Sequence, residues 1–165
     1  MPGPPHPVVD ELVPLGFTHA ATVTDRLADP APVYDLFQAA DDRVLASVSR
    51  ATGDIGLVSR LDDGRLLSTT SLLVPPIAGL VANTAPAAEP AVLLGLHHQA
   101  LAAYRVRAEL TTARAFREVM DLERQAYAQL GPLLGGFYDP GRRRGAPMTV
   151  PVSPQELLEV TLPSA

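Results

Sequence analysis

Two adjacent histidines, His97 and His98, stand in a stretch rich in alanine and leucine that reads as helix, and they are the first candidates for a general base or a metal ligand. Neighbouring helical residues diverge by about 100° around the axis, so the pair cannot converge on one ion as two histidines four apart would. Three and four positions further on stand Ala100, Leu101 and Ala102, none of which can ligate. His97 falls on the apolar stripe of its helix, where a histidine is usually satisfied by a polar group of the core. The functional alternative makes His97, Tyr104 and Tyr127 the polar lining of a small-ligand pocket between sheet and helices.

Hydrolytic chemistry has no foothold. The sequence contains no G-x-S-x-G elbow, no S-x-x-K and no H-E-x-x-H, and Ser47, Ser49, Ser59, Ser68 and Ser71 fall where strands or strand ends are predicted, as strand-surface residues. Asp41-Asp42 and Asp62-Asp63 could do acid/base work or hold a hard cation, but both pairs read as hairpin turns, and Asp62-Asp63-Gly64 lacks the alternating acids of a calcium loop. The segment Leu134–Gly145, LGGFYDPGRRRG, gathers glycine, aromatic rings and three arginines. Arg142, Arg143 and Arg144 could fork onto an anion or an acidic partner, or form a basic linker. No metal site and no cofactor are implied.

Positioning these residues requires a scaffold with two halves. Pro7, Asp10, Glu11 and Gly16 suit a short helix over Val8–Leu15. A first strand follows, in which Phe17, Ala21 and Val23 alternate with threonines. Further strands are predicted at Val33–Gln38, Val44–Arg50, Ile55–Leu61 and Leu66–Ser71, separated by turn-forming clusters such as Thr52-Gly53-Asp54 and Asp62-Asp63-Gly64. One face of this meander reads as buried and the other as mixed. Val74–Pro90 reads as a Pro- and Ala-rich connection. From Ala91 to Leu130 there is no proline, and apolar residues recur at helical spacing, with a joint at Thr111-Thr112 or else one long bent helix. Arg105 and Glu109, Arg114 and Glu118, and Arg117 and Asp121 are spaced to draw a charged face along the helices. The expected fold class is therefore α+β: an antiparallel four- to five-stranded β-meander flanked by a short N-terminal helix and two long C-terminal helices packed on one face. Residues 1–7 form a flexible lead, 8–138 a single domain, and 139–165 a Pro/Arg-rich partly ordered tail.

Composition narrows the function classes. The 165 residues are 47% hydrophobic and contain no cysteine, which excludes disulfides, thiol catalysis and cysteine-based metal centres. All 13 basic residues are arginine, as a GC-rich genome would produce, so single arginines carry little meaning. A net charge of −5 argues against nucleic acid as a partner. No apolar run approaches the roughly 18 residues of a membrane helix, and the start lacks a signal-peptide pattern, so the expected location is cytoplasmic.

Leu15-Gly16-Phe17, the hairpin Ser59 to Thr69 in the form S-x-x-x-D-G-x-x-L-x-T, and the helical Leu96-His97-His98 together resemble a pattern found in uncharacterised bacterial proteins. The resemblance covers about Leu12 to Arg105. That group has no assigned function, and its members often carry hydrophobic membrane segments that this sequence lacks, so the resemblance implies neither activity nor localisation.

The function expected on these grounds is a non-catalytic protein-interaction or regulatory module that self-associates, with a protein partner or a second copy of itself. A small-ligand sensor and an enzyme using a helix histidine are the alternatives.

Overall fold

Short apolar runs between turn-forming residues dictate most of the sheet. The computed structural model of the chain describes residues 3–71, 73–85, 88–107 and 112–130. Within them β1 (Phe17–Thr24), β2 (Val33–Ala39), β3 (Leu45–Ser49), β4 (Ile55–Arg60) and β5 (Leu66–Thr70) pair antiparallel in sequence order. The tight turns use residues that tolerate positive φ: Asp42 at 56°, Gly53 at 74° and Gly64 at 90°. Asp63 fixes its turn by accepting from the Arg65 backbone N–H at 3.0 Å and side-chain Nε at 2.9 Å.

A sixth strand corrects the expected meander. β6 (Leu80–Thr84) lies inside the segment read as a connection and pairs parallel to β5, which makes a six-stranded mixed sheet in the order β1 to β6. The return needs no crossover helix. A five-residue strand spans about 17 Å, and the nine residues from 71 to 79 can reach roughly 30 Å when extended, as Pro75-Pro76 favours.

The N-terminal helix is also revised, to two 3-10 turns at Pro7–Glu11 and Val13–Leu15. Pro14 lacks the N–H that an α-helix would use, and Gly16, at φ 86°, closes the second turn.

Helices α1 (Pro90–Leu101) and α2 (Thr112–Leu130) cover opposite faces of the sheet rather than one. The register places Leu36, Leu45 and Val58 on the face beneath Phe116, Val119 and Met120 of α2. Phe37, Ala46 and Leu57 face the other way, toward Leu93 of α1 and toward Leu12 and Phe17. The face expected to be mixed is therefore buried, and Ser47, Ser49, Ser59 and Ser68 are core residues rather than surface ones. Each apolar side chain withdrawn from water contributes about 1.5–3 kcal/mol, so both layers hold the sheet.

One long bent helix is excluded as well. After α1 the chain returns to the sheet: Val106 bridges Leu61, Asp62 N–H donates to Arg105 O at 2.9 Å, and Arg107 N–H donates to Arg60 O at 3.0 Å. Arg105 is thus outside any helix. Arg114 does reach Glu118, at 3.3 Å, whereas Asp121 is held by Arg124 and not by Arg117. Glu118 also takes an ion pair from Arg60 at the end of β4, which ties α2 to the sheet.

Candidate functional site

His97 is a fully buried polar side chain with a hydrogen-bond partner on each ring nitrogen. It lies on the buried stripe of α1 with Pro90 and Leu93, spaced i, i+3 and i+7, and its exposure is 0%. This stripe sets the ring over β4 and β5. There Ser59 Oγ lies 2.8 Å from Nε2 and Thr69 Oγ1 lies 2.8 Å from Nδ1.

The direction of these bonds follows from counting hydrogens. Ser59 has one hydroxyl hydrogen, and it goes to the carbonyl of Arg43 at 2.6 Å, which can only accept. His97 Nε2–H must therefore donate to Ser59 Oγ. In the neutral ring Nδ1 then accepts from Thr69 Oγ1–H. Thr69 in turn accepts from Asn83 Nδ2 at 3.2 Å, and the same amide donates to Leu96 O at 3.4 Å. The chain runs one way from Asn83 to Arg43 and leaves no member unsatisfied.

A proton added at Nδ1 would reverse one link and strand the Thr69 hydroxyl hydrogen. Burial, and secondarily the charge of neighbouring His98, push the His97 pKa down to about 3. Direction matters chemically too: a serine nucleophile needs a histidine nitrogen that takes its proton, whereas here the nitrogen facing Ser59 already carries one. Ser59 is itself fully buried.

The other residues singled out from sequence lie elsewhere. Tyr104 is half-buried beyond α1, with the Arg65 guanidinium 5.5 Å from its ring centroid. Tyr127 is on α2, across the sheet from His97, and its hydroxyl donates to Leu73 O at 2.8 Å. The structure does not bring His97, Tyr104 and Tyr127 together. Arg142, Arg143 and Arg144 lie outside the described residues. Among the described residues, no group of three His, Asp or Glu side chains is arranged to hold a metal ion, and no helix is long and apolar enough to cross a membrane.

A second polar centre was not anticipated. Asp35, on β2 and 1% exposed, accepts from Arg50 Nε at 2.8 Å and Arg50 Nη2 at 2.8 Å, and from Thr22 Oγ1 at 2.7 Å. Thr22 is its cross-strand neighbour on β1, and His19 approaches the same carboxylate at 3.4 Å. Burial alone would raise the carboxyl pKa, but the bonds from Arg50 and Thr22 and the Arg50 charge outweigh it and hold Asp35 below the usual carboxylate range. The remaining Arg50 nitrogen donates to Gly3 O at 2.7 Å, so the N-terminal segment closes this end of the sheet. An acid between Tyr34 and Leu36, with an arginine ending the next strand run, was the available signal.

Clefts flank the β1–β2 loop on two sides. One, about 620 Å³, lies beside Arg50 and is walled by prolines of the N-terminal segment and the β1–β2 loop. The other, about 540 Å³, separates that loop from α2. No family model matches this chain, and neither a curated protein nor a solved structure matches it.

Proposed function

We propose that this protein is a non-catalytic interaction module that self-associates through β1, its partner being a second copy of the chain. The observation carrying this reading is the edge itself. Among the described residues β1 is an end strand of the open sheet, bonded only to β2. Its eight residues, FTHAATVT, include no proline and no Asp, Glu, Lys or Arg, and Thr18, His19, Ala20, Thr22 and Thr24 are exposed. Proteins that must stay monomeric usually blunt such an edge with charge or proline, because its free N–H and C=O groups recruit another strand. A bulge between His19 and Ala21 interrupts the ladder, yet Ala21–Thr24 stays in register with β2 and offers a regular edge. At the opposite end β6 has only five residues, and Ile77 folds against its first residue, Leu80.

Two copies meeting antiparallel along β1 form a closed two-fold pair, which needs no second interface. The inward-facing His97 chain and the mutually satisfied Asp35 and Arg50 favour this reading over catalysis at either centre. Sedimentation velocity of the wild type against Ala20→Lys/Thr24→Lys tests it. Both changed side chains are exposed, and in a two-fold pair they oppose like charges. The expected result is a wild-type dimer and a folded monomeric variant. A wild type that sediments as a monomer at every concentration, or a variant that dimerises equally well, overturns the proposal.

A further inference from the structure

The cleft between the β1–β2 loop and α2 has an uneven charge distribution. Its apolar floor is Val23, Phe116 and Met120, and Leu27, 71% exposed, stands at its rim. Asp25 and Asp121 also line it, but both are engaged by Arg124. Arg26 and Arg117 line the same cleft and are exposed, and among the described residues neither has an ion pair or side-chain hydrogen bond. Two uncommitted guanidinium groups thus face an apolar floor in a chain whose net charge is −5. Ala113, in the first turn of the nineteen-residue α2, adds the positive end of a helix to the same wall.

We infer that this cleft binds a small amphiphile with one carboxylate and an apolar tail, its head forked by Arg26 and Arg117 and its tail laid along Val23, Phe116 and Met120. A guanidinium matches a carboxylate in two parallel hydrogen bonds. The cleft volume of about 540 Å³ falls in the range of small-molecule sites. A neutral apolar molecule would leave both charges unused, and a cation would be repelled. The inference does not rest on self-association through β1, although Val23 and Thr24 of that strand line the cleft.

Octanoate is the probe, titrated calorimetrically into the whole chain beside 1-octanol and octyl phosphate. Saturable octanoate binding is expected, with octanol weaker by about tenfold or more and the Arg26→Gln/Arg117→Gln variant weaker by a similar factor. Both arginines are exposed, so the variant retains the fold, which circular dichroism checks. No saturable octanoate binding, equal affinity for octanol, or unchanged affinity in the variant overturns the inference. Octyl phosphate binding about tenfold tighter than octanoate overturns the carboxylate assignment in favour of a phosphate head.

Discussion

Ser59 Oγ and His97 Nε2 lie 2.8 Å apart, and the hydrogen between them belongs to the histidine, because the serine gives its own to Arg43 O at 2.6 Å. This assigns the buried imidazole one tautomer and a structural role, pinning α1 across β4 and β5. The contact joins residues 38 positions apart. It therefore fastens the helical half of the chain to the meander.

Truncating that ring exposes the cost of the contact. His97→Ala takes one hydrogen-bond partner each from Ser59 and Thr69 and leaves a cavity, and it is expected to lower unfolding stability by about 2–4 kcal/mol. Ser59→Ala removes two links, to Arg43 O and to His97, and is expected to cost about 1–3 kcal/mol. Urea denaturation measures both. Loss of less than half a kcal/mol in His97→Ala would show that the chain contributes little.

Acid should weaken the fold in a defined window. The folded His97 pKa is about 3 against an ordinary 6.5, so between these values the unfolded chain takes up a proton that the folded one refuses. Stability is therefore undiminished above pH 6.5 and falls as pH drops toward 3, by on the order of 4 kcal/mol. Asp35 acts in the same direction at lower pH, since its depressed carboxyl pKa stabilises the fold above its unfolded value and that contribution is lost as pH falls through the folded one. Urea midpoints at pH 7, 5 and 4 should decline in the wild type and decline less steeply in His97→Gln. Parallel slopes would contradict this assignment.

Breaking the Asp35 centre should be asymmetric. Arg50→Gln strands a carboxylate that is 1% exposed and is expected to cost about 3–5 kcal/mol. Asp35→Asn leaves Arg50, 17% exposed, with some access to water and should cost less. In the double variant the costs should fall short of their sum by about 1–3 kcal/mol, measured as a double-mutant cycle. Simple additivity would mean that the two side chains do not act as a pair.

Much of this architecture is legible in the sequence, and the omissions have physical causes. Alternation between Asp-, Gly- and Thr-rich turns locates β1 to β5 within a residue or two. β6 escapes because Leu80-Val81-Ala82-Asn83-Thr84 is short and flanked by prolines, and its partner is parallel and preceded by an extended return. Serine in a strand reads as surface, yet Ser59 is buried, its hydroxyl matched to Arg43 and His97. The break after α1 has no glycine or proline to announce it, since the competing attraction is Leu61 pairing with Val106, 45 residues later. Ser59, Thr69 and His97 are separate positions of the pattern resembling bacterial proteins, and the fold brings those three side chains together. Asp35 and Arg50 stayed hidden because arginine abundance is explained by base composition, which removes the contrast that would mark one functional arginine.

The most direct measurement of the central claim is amide hydrogen exchange at Phe17–Thr24 as a function of protein concentration. Self-association along this edge makes amides of β1 exchange more slowly as concentration rises, with β6 unaffected and the effect abolished in Ala20→Lys/Thr24→Lys. Exchange in β1 that is independent of concentration, or slowing confined to β6, contradicts it.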